Sequence, residues 1–398
     1  MGFSSGNITF RRFSVVGQIG TSPTDELLKK FRAHLFAPSE LGVPEEIEYG
    51  WCGAEHLYDR EISFEHSVYA DCIHIGLRID TNRVPGNVKK SMLARECAAL
   101  AAGNPSGFIS KAQSRTAKET VGRQMEDELR AGKHRRSRLV ELLWSLPSGV
   151  LYANAPGKTF EMLAELFERT FGLMLSPLTA GAMAMQLLEP KGQRLVYEDL
   201  RPTRFVEGSH GESEYPDYPW VARGPEPKDF LGNEFLLWLW HQAERKGEVI
   251  KTGRADVAIL FDKSLDMECA YGQSGRESLR GDGPAHAPEA NSGLRSGKLP
   301  RKAGLVIDYA GEQFSLTLGA EPMAFGSVRL PDVEDADTPR VLFESRIALL
   351  AGLHTAMHAL FSEFIRIRAA ARPWEEAVAD IKGWIVSKPA SRRATTAA

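Results

Sequence analysis

Between Lys111 and Arg138 the chain carries nine cationic side chains: Lys111, Arg115, Lys118, Arg123, Arg130, Lys133, Arg135, Arg136 and Arg138. Only Glu119, Glu126, Asp127 and Glu128 oppose them. Lys and Arg at this density suit one chemistry above all, the neutralisation of phosphate oxygens with release of their counterions. The net charge of the whole chain is −3. That balance does not prevent polyanion binding, because a positive field concentrated on one stretch acts locally. A second cluster, Arg295, Lys298, Arg301 and Lys302, lies far along the chain, and Arg276 and Arg280 extend it. Nucleic acid is the first partner these residues suggest.

Other constellations invite chemistry and fall short of it. Gly293-Leu294-Arg295-Ser296-Gly297-Lys298-Leu299 has three residues between its glycines where a phosphate loop needs four, and Leu299 where that loop needs a magnesium-binding hydroxyl. Pro216-Asp217 followed by Glu226-Pro227-Lys228 fits the outline of a metal-dependent nuclease, with Asp217, Glu226 and Lys228 aligning metal, water and phosphate. The many prolines favour an extended loop there instead. His354 and His358 share a helical face at metal-ligand spacing, but Thr355 stands where a metalloprotease has its glutamate. The acidic stretch Asp332 to Asp337 lacks the glycine and terminal glutamate of a calcium loop. Trp238 and Trp240 could stack bases, yet their apolar surroundings favour core packing. No nucleophile–base pair emerges, so the expectation is a protein that is not an enzyme, with no cofactor and no metal.

The elements that must position these residues follow from periodicity. Lys111, Arg115 and Lys118 fall on one face of a helix expected from Ser110 to about Arg130. Arg136 and Arg138 lead into a strand, Leu139 to Trp144, then a turn at Pro147-Ser148-Gly149 and a return strand from Val150 to Ala153. Upstream are an opening strand near Ile8 to Val16, a helix from Thr24 to Leu35 and a strand from Val68 to Ile79. A helix from Pro85 to about Ala102 precedes the basic one. Downstream the pattern predicts helices at Thr159 to Gly172, Phe230 to Arg245, Val341 to Arg368 and Trp374 to Trp384. Strands are expected at Val257 to Phe261, Leu305 to Asp308 and Phe314 to Leu318, with Glu277 to Ala290 helical or loop-like. Segregated strands and helices of this kind define an α+β class built of two or three mixed subdomains. The expected organisation is an N-terminal α+β domain over 1–180 and an irregular Pro/Gly-rich connection over 181–228. A C-terminal α+β domain over 229–386 follows, then a disordered basic tail over 387–398.

Four scattered cysteines, Cys52, Cys72, Cys97 and Cys269, form no CxxC pair, which argues against a zinc ribbon or disulfide framework and for a reducing cytosol. No apolar run approaches a membrane span and the first residues have no signal-peptide pattern. A cytoplasmic chain without membrane contact is expected.

The order of these features resembles the recombination-associated protein RdgC family over most of the chain. The resemblance rests on Gly50-Trp51 before a strand and a helix at Val88-Lys89, then on Ser110-Lys111-Ala112-Gln113-Ser114-Arg115-Thr116-Ala117-Lys118-Glu119. The basic lead-in to Leu142-Leu143-Trp144, the hairpin glycine Gly149, Ser296-Gly297-Lys298-Leu299-Pro300-Arg301-Lys302-Ala303-Gly304-Leu305 and the apolar C-terminal helix complete it. It implies a homodimer closed into a ring, with an electropositive hole that passes duplex DNA. It further implies sequence-independent binding, restraint of RecA-type recombinase filaments, and a nucleoid-associated location. Lys111, Arg115, Lys118, Lys133, Arg135, Arg136, Arg138, Arg295, Lys298, Arg301 and Lys302 would contact the DNA. The chain departs from the family in its longer 189–228 connection, its loop near Gly272 to Pro284 and its C-terminal extension. Arginines also stand in the basic lead-in where an aromatic subunit contact would be expected. A metal-dependent nuclease and a protein-interaction module with basic faces remain as alternative readings.

Overall fold

The computed structural model describes residues 2–18, 20–38, 43–206, 218, 228–245, 247, 249–253, 256–271, 275–333 and 336–387. In chain order the elements are β1 (Ile8–Val16), α1 (Asp25–Ala33), β2 (Ile47–Cys52), α2 (Phe64–Ser67), β3 (Val68–Tyr69) and β4 (Cys72–Asn82). Next come α3 (Gly86–Ala102), α4 (Lys111–Arg130), β5 (Arg135–Ser145), β6 (Val150–Ala153), α5 (Lys158–Phe171), β7 (Met174–Pro177), α6 (Ala180–Leu188) and α7 (Arg194–Asp199). The remainder is α8 (Phe230–Arg245), β8 (Val249–Lys251), β9 (Asp256–Cys269), β10 (Arg276–Gly281), α9 (Pro288–Arg295) and β11 (Lys298–Tyr309). β12 (Glu312–Gly319), β13 (Ala324–Arg329), α10 (Pro339–Arg368) and α11 (Ala371–Ser387) complete it. This is a mixed helix and sheet protein of the α+β class.

The chain divides into two compact units, and neither is a continuous half. One comprises Met1–Val16, Gly149–Asn154 and Leu175–Ala398; the other comprises Gly17–Ser148 and Ala155–Met174. The expected boundary near residue 180 therefore gives way to a different partition. β1 pairs antiparallel with both β13 and β6, so the first strand belongs with the last strand of the chain.

In the Gly17–Ser148 unit, β2, β4 and β5 form an antiparallel sheet, with β3 on the edge of β4. Ile73, Ile75, Leu77 and Ile79 alternate along β4 and are buried; β5 sets Trp144, Leu142, Val140 and Arg138 opposite them. α5 is amphipathic and buries Leu163, Leu166 and Phe167. The Trp144 ring meets Phe167 at 5.1 Å, and Phe31 of α1 meets Trp51 at 5.1 Å. The Trp51 indole donates to Thr170 Oγ1 at 2.8 Å, which satisfies its polar edge. Between β4 and β5 the chain leaves the sheet as a helical hairpin, α3 and α4. α4 buries Ala117 and Val121, whereas no residue of α3 is buried.

The other unit is built on an antiparallel sheet in the order β10-β9-β11-β12-β13-β1-β6, with β8 beside β9 and β7 beside β1. α8 is buried along most of its length, its polar Asn233, Glu234, His241 and Gln242 included; Phe235 meets Phe361 and Phe364 of α10 at 5.1 and 5.5 Å. Trp238 and Trp240 are buried in this core. Among the described residues α10 alone is long and apolar enough to cross a membrane by length and composition; its Leu353, Met357, Leu360, Phe361 and Phe364 are buried inside the unit. Two expectations change here. The 181–228 connection begins as helix, since α6 runs from Ala180 to Leu188 behind an N-cap at Thr179, and α7 follows. Residues 276–281 are strand β10, paired with β9. Within the same connection, Arg201 to Thr203 are tied to a buried ion pair: Glu234 accepts from Arg368 Nε at 2.6 Å and from Thr203 N at 2.7 Å, and Arg368 donates to the Arg201 carbonyl.

Candidate nucleic-acid interface

α4 starts where local chemistry says it should. Ser110 accepts from Gln113 N, and Gln113 Oε1 accepts from Ser110 N, a reciprocal cap. The helix has 20 residues, which makes it about 30 Å long. Lys111, Arg115 and Lys118 lie exposed in its first half. Lys111, Lys118 and Arg123 have no carboxylate partner among the described residues. Arg115 pairs with Glu119 at 3.1 Å while remaining 85% exposed, a contact too solvated to fix the side chain.

This charge order runs against the helix. A macrodipole favours acids in the first turn and bases in the last. α4 has no acid in its first turn, and Glu126, Asp127 and Glu128 crowd its end. Glu128 is taken up locally by His134 at 2.8 Å and Lys133 at 3.4 Å. Hydrogen bonding to His134 is the main reason its carboxyl is held below the usual range, against a smaller desolvation and with help from Lys133.

Strand alternation then divides the arginines of β5. Arg136 and Arg138 are exposed and continue the face carrying Val140, Leu142 and Trp144. Arg138 donates to Thr159 Oγ1 at 2.6 Å, and Arg136 has no ion-pair partner among the described residues. Arg135 points to the opposite face. There it lies 3.8 Å from Asp80, which is fully buried, and donates to Asn82 Oδ1 at 3.3 Å. Arg78 holds the same carboxylate through both of its oxygens, at 3.0 and 2.8 Å. Arg135 therefore completes an internal network, and its place among the DNA-contacting residues is withdrawn.

The second basic cluster is largely neutralised by its own fold. Lys298 pairs with Glu277 at 2.8 Å. Arg301 sits between Glu268 at 2.6 Å and Glu321 at 2.9 Å. Burial opposes the Arg301 charge, but hydrogen bonds to Glu321 and Glu268 overcome it and leave the pKa above its ordinary value. Arg295 donates to the Ile385 and Val386 carbonyls at the end of α11. Arg276 and Arg280 pair with Glu268 and Asp266. Lys302 alone of the four is exposed, across the ladder from Asp266. The expectation of a free cationic surface at Arg295, Lys298 and Arg301 is corrected accordingly. The same contacts close the phosphate-loop reading, since Lys298 is already paired.

The remaining candidates resolve as structure. His354 is half-buried and its Nδ1 receives Arg12 at 3.4 Å and the Tyr152 hydroxyl at 3.2 Å. Its ring stacks parallel to His358 at 6.4 Å. No cluster of three or more metal-ligating side chains exists among the described residues. Lys228 donates to the Glu198 and Leu200 carbonyls, and Asp217 and Glu226 lie outside the described residues. So do Glu334 and Asp335 of the acidic stretch and residues 388–398 of the tail. Burial pushes the Cys52 and Cys72 thiols up to about 12 and about 11, which leaves them unreactive at neutral pH.

No protein-family model matches the chain, and no curated protein matches it.

Proposed function

We propose that this protein binds DNA without sequence preference and without catalysis, in the manner the RdgC resemblance implies. On this reading it acts as a homodimer that encircles duplex DNA in the nucleoid and restrains recombinase filaments on the same DNA. The observation that carries the reading is the set Lys111, Arg115, Lys118, Arg123, Arg136 and Arg138. These exposed cations on α4 and β5 are left almost uncompensated, whereas Arg78, Arg276, Arg280, Arg301 and Arg368 are each paired with a carboxylate. Their placement suits a backbone ligand. The α4 cations from Lys111 to Arg123 span about 18 Å, roughly five base-pair steps of 3.4 Å, so they can follow phosphates along a groove edge. Contacts of this type position a protein without reading bases.

If about six phosphates are engaged, log affinity falls with log salt at a slope near −5. Titrating a fluorescent duplex at several salt concentrations tests this, and a slope near zero rejects it. Changing Lys111, Lys118, Arg136 and Arg138 to Glu should weaken binding equally on unrelated sequences and flatten the slope. Incubation with duplex and magnesium or manganese should leave the DNA intact, whereas cleavage would favour the nuclease reading.

A further inference from the structure

The loop joining α3 to α4 carries the most solvent-exposed large apolar side chain among the described residues, Phe108, at 80%. The exposure is held in place by the loop around it. Asn104 Nδ2 donates to the Phe108 carbonyl at 2.6 Å and to Gln113 Oε1 at 2.9 Å, and Gln113 returns a bond to Asn104 Oδ1 at 2.9 Å. Gly107, immediately before the phenylalanine, takes φ +68°, a conformation that excludes most other residues. A rigid turn thus presents an aromatic ring to water at the tip of a helical hairpin. Directly behind it stands Lys111, in a first turn that holds no acid and where the macrodipole disfavours a cation, followed on the same face by the exposed Arg115, in a solvated pair with Glu119, and Lys118. An aromatic face flanked by exposed cations is the pairing that receives nucleotides: the ring stacks on a base while the cations hold adjacent phosphates.

We infer that Phe108 is a base-stacking element, contacting a nucleobase of the bound DNA while Lys111 and Arg115 engage the neighbouring phosphates. This rests on the DNA-binding reading above and adds to it a contact with the bases themselves. Such a contact is tolerant of sequence, because every base offers a π-face. It favours DNA whose bases are unpaired or easily unstacked, since inserting a side chain into a duplex requires separating a base step.

The test compares the full chain with Phe108→Ala, Phe108→Leu and Phe108→Trp on a single strand of about 30 nucleotides and on the matching duplex, each at several salt concentrations. Phe108→Ala should bind the single strand roughly tenfold more weakly, with an unchanged salt slope because no phosphate contact is lost. Phe108→Trp should restore affinity, and Phe108→Leu, equally apolar but without a ring face, should not. A loss confined to the single strand assigns the ring to unpaired bases; an equal loss on duplex assigns it to a base step. Wild-type affinity in Phe108→Ala, or rescue by Phe108→Leu, overturns the inference. A changed sedimentation coefficient for Phe108→Ala also overturns it, since the ring would then serve self-association. Absence of DNA binding by the wild-type chain would remove the underlying reading as well.

Discussion

The guanidinium of Arg12 lies 3.4 Å from Nδ1 of His354, and neither side chain has a carboxylate within ion-pair distance among the described residues. Arginine can only donate, so Nδ1 accepts and His354 is neutral, with its proton on the other nitrogen. The Tyr152 hydroxyl serves the same Nδ1 at 3.2 Å. Burial, then the Arg12 charge, then His358 bring the His354 pKa down to about 3 from its ordinary 6.5.

That depression makes stability depend on pH. The unfolded chain takes up a proton at this histidine below pH 6.5 and the folded protein does not until about pH 3. The stabilisation is therefore complete above pH 6.5 and is lost progressively as pH falls from there toward 3. Between pH 6.5 and 5 the loss amounts to about 2 kcal/mol. Urea titrations of the wild type and of His354→Gln across this range read it directly. The variant should have a flatter acid limb, and an unchanged limb would show that another group carries the effect.

Arg12 itself yields a second expectation. Burial pushes its pKa down to about 10, partly countered by Tyr152, so it remains charged at neutral pH. Its partners are a sulfur, Met183 Sδ at 3.1 Å, the His354 nitrogen and the Phe325 ring face at 4.8 Å; Nε has no partner. A buried cation so weakly compensated contributes little to stability. Replacing it with an apolar side chain of similar length should be neutral or stabilising, by about 1 kcal/mol. Arg12→Met should raise the denaturation midpoint or leave it unmoved, while Arg12→Ala should lower it by opening a cavity. A marked loss in Arg12→Met would mean the charge has a partner outside the described residues.

Much of the architecture around the basic helix is legible locally. Ser110 and Gln113 announce the start of α4, and the alternation Ile73, Ile75, Leu77, Ile79 announces β4. α6 was hidden because Ala180 to Leu188 is apolar on nearly every side, so no polar face marked its period. The partition into units could not be read at all, because β1 finds its partner in β13, more than three hundred residues away. The fate of the cations divides the same way. Lys111 and Lys118 are exposed as helical spacing suggests, but the carboxylates that neutralise Lys298 and Arg301 reach them from β9, β10 and the turn at Glu321. Strand register decides those pairs, and a charge count along the chain does not contain it.

Gly50 and Gly232 are among the glycines that mark close backbone approaches. Gly50 of β2 lies against the Phe36 backbone, where an added Cβ would stand 2.7 Å from Cα and 2.8 Å from N. Gly232 of α8 faces the Ala320 carbonyl even more tightly. Neither neighbour is a flexible side-chain end, so relief requires backbone movement. Gly50→Ala and Gly232→Ala should each destabilise their own unit by about 2–3 kcal/mol, seen as a lowered thermal midpoint. A midpoint within a degree of wild type would show that the strand or helix shifts freely.

The two basic clusters should separate cleanly when substituted alike. Arg301→Gln strands Glu268 and Glu321 beside each other in a partly buried site, and breaking such an arrangement should destabilise by about 2 kcal/mol. Glu268 retains Arg276 at 2.9 Å and Glu321 retains Asn233 at 2.8 Å, which keeps the loss below that of an isolated buried charge. Lys118→Gln removes an exposed cation with no carboxylate partner among the described residues and should leave stability within about 0.5 kcal/mol of wild type. DNA affinity should respond in the opposite order. Lys118→Gln should bind more weakly and reduce the salt slope by about one, while folded Arg301→Gln should bind as wild type. Thermal denaturation and fluorescence anisotropy on the same preparations give both readings. If Arg301→Gln weakens binding while Lys118→Gln does not, the interface lies with the paired cluster rather than along α4.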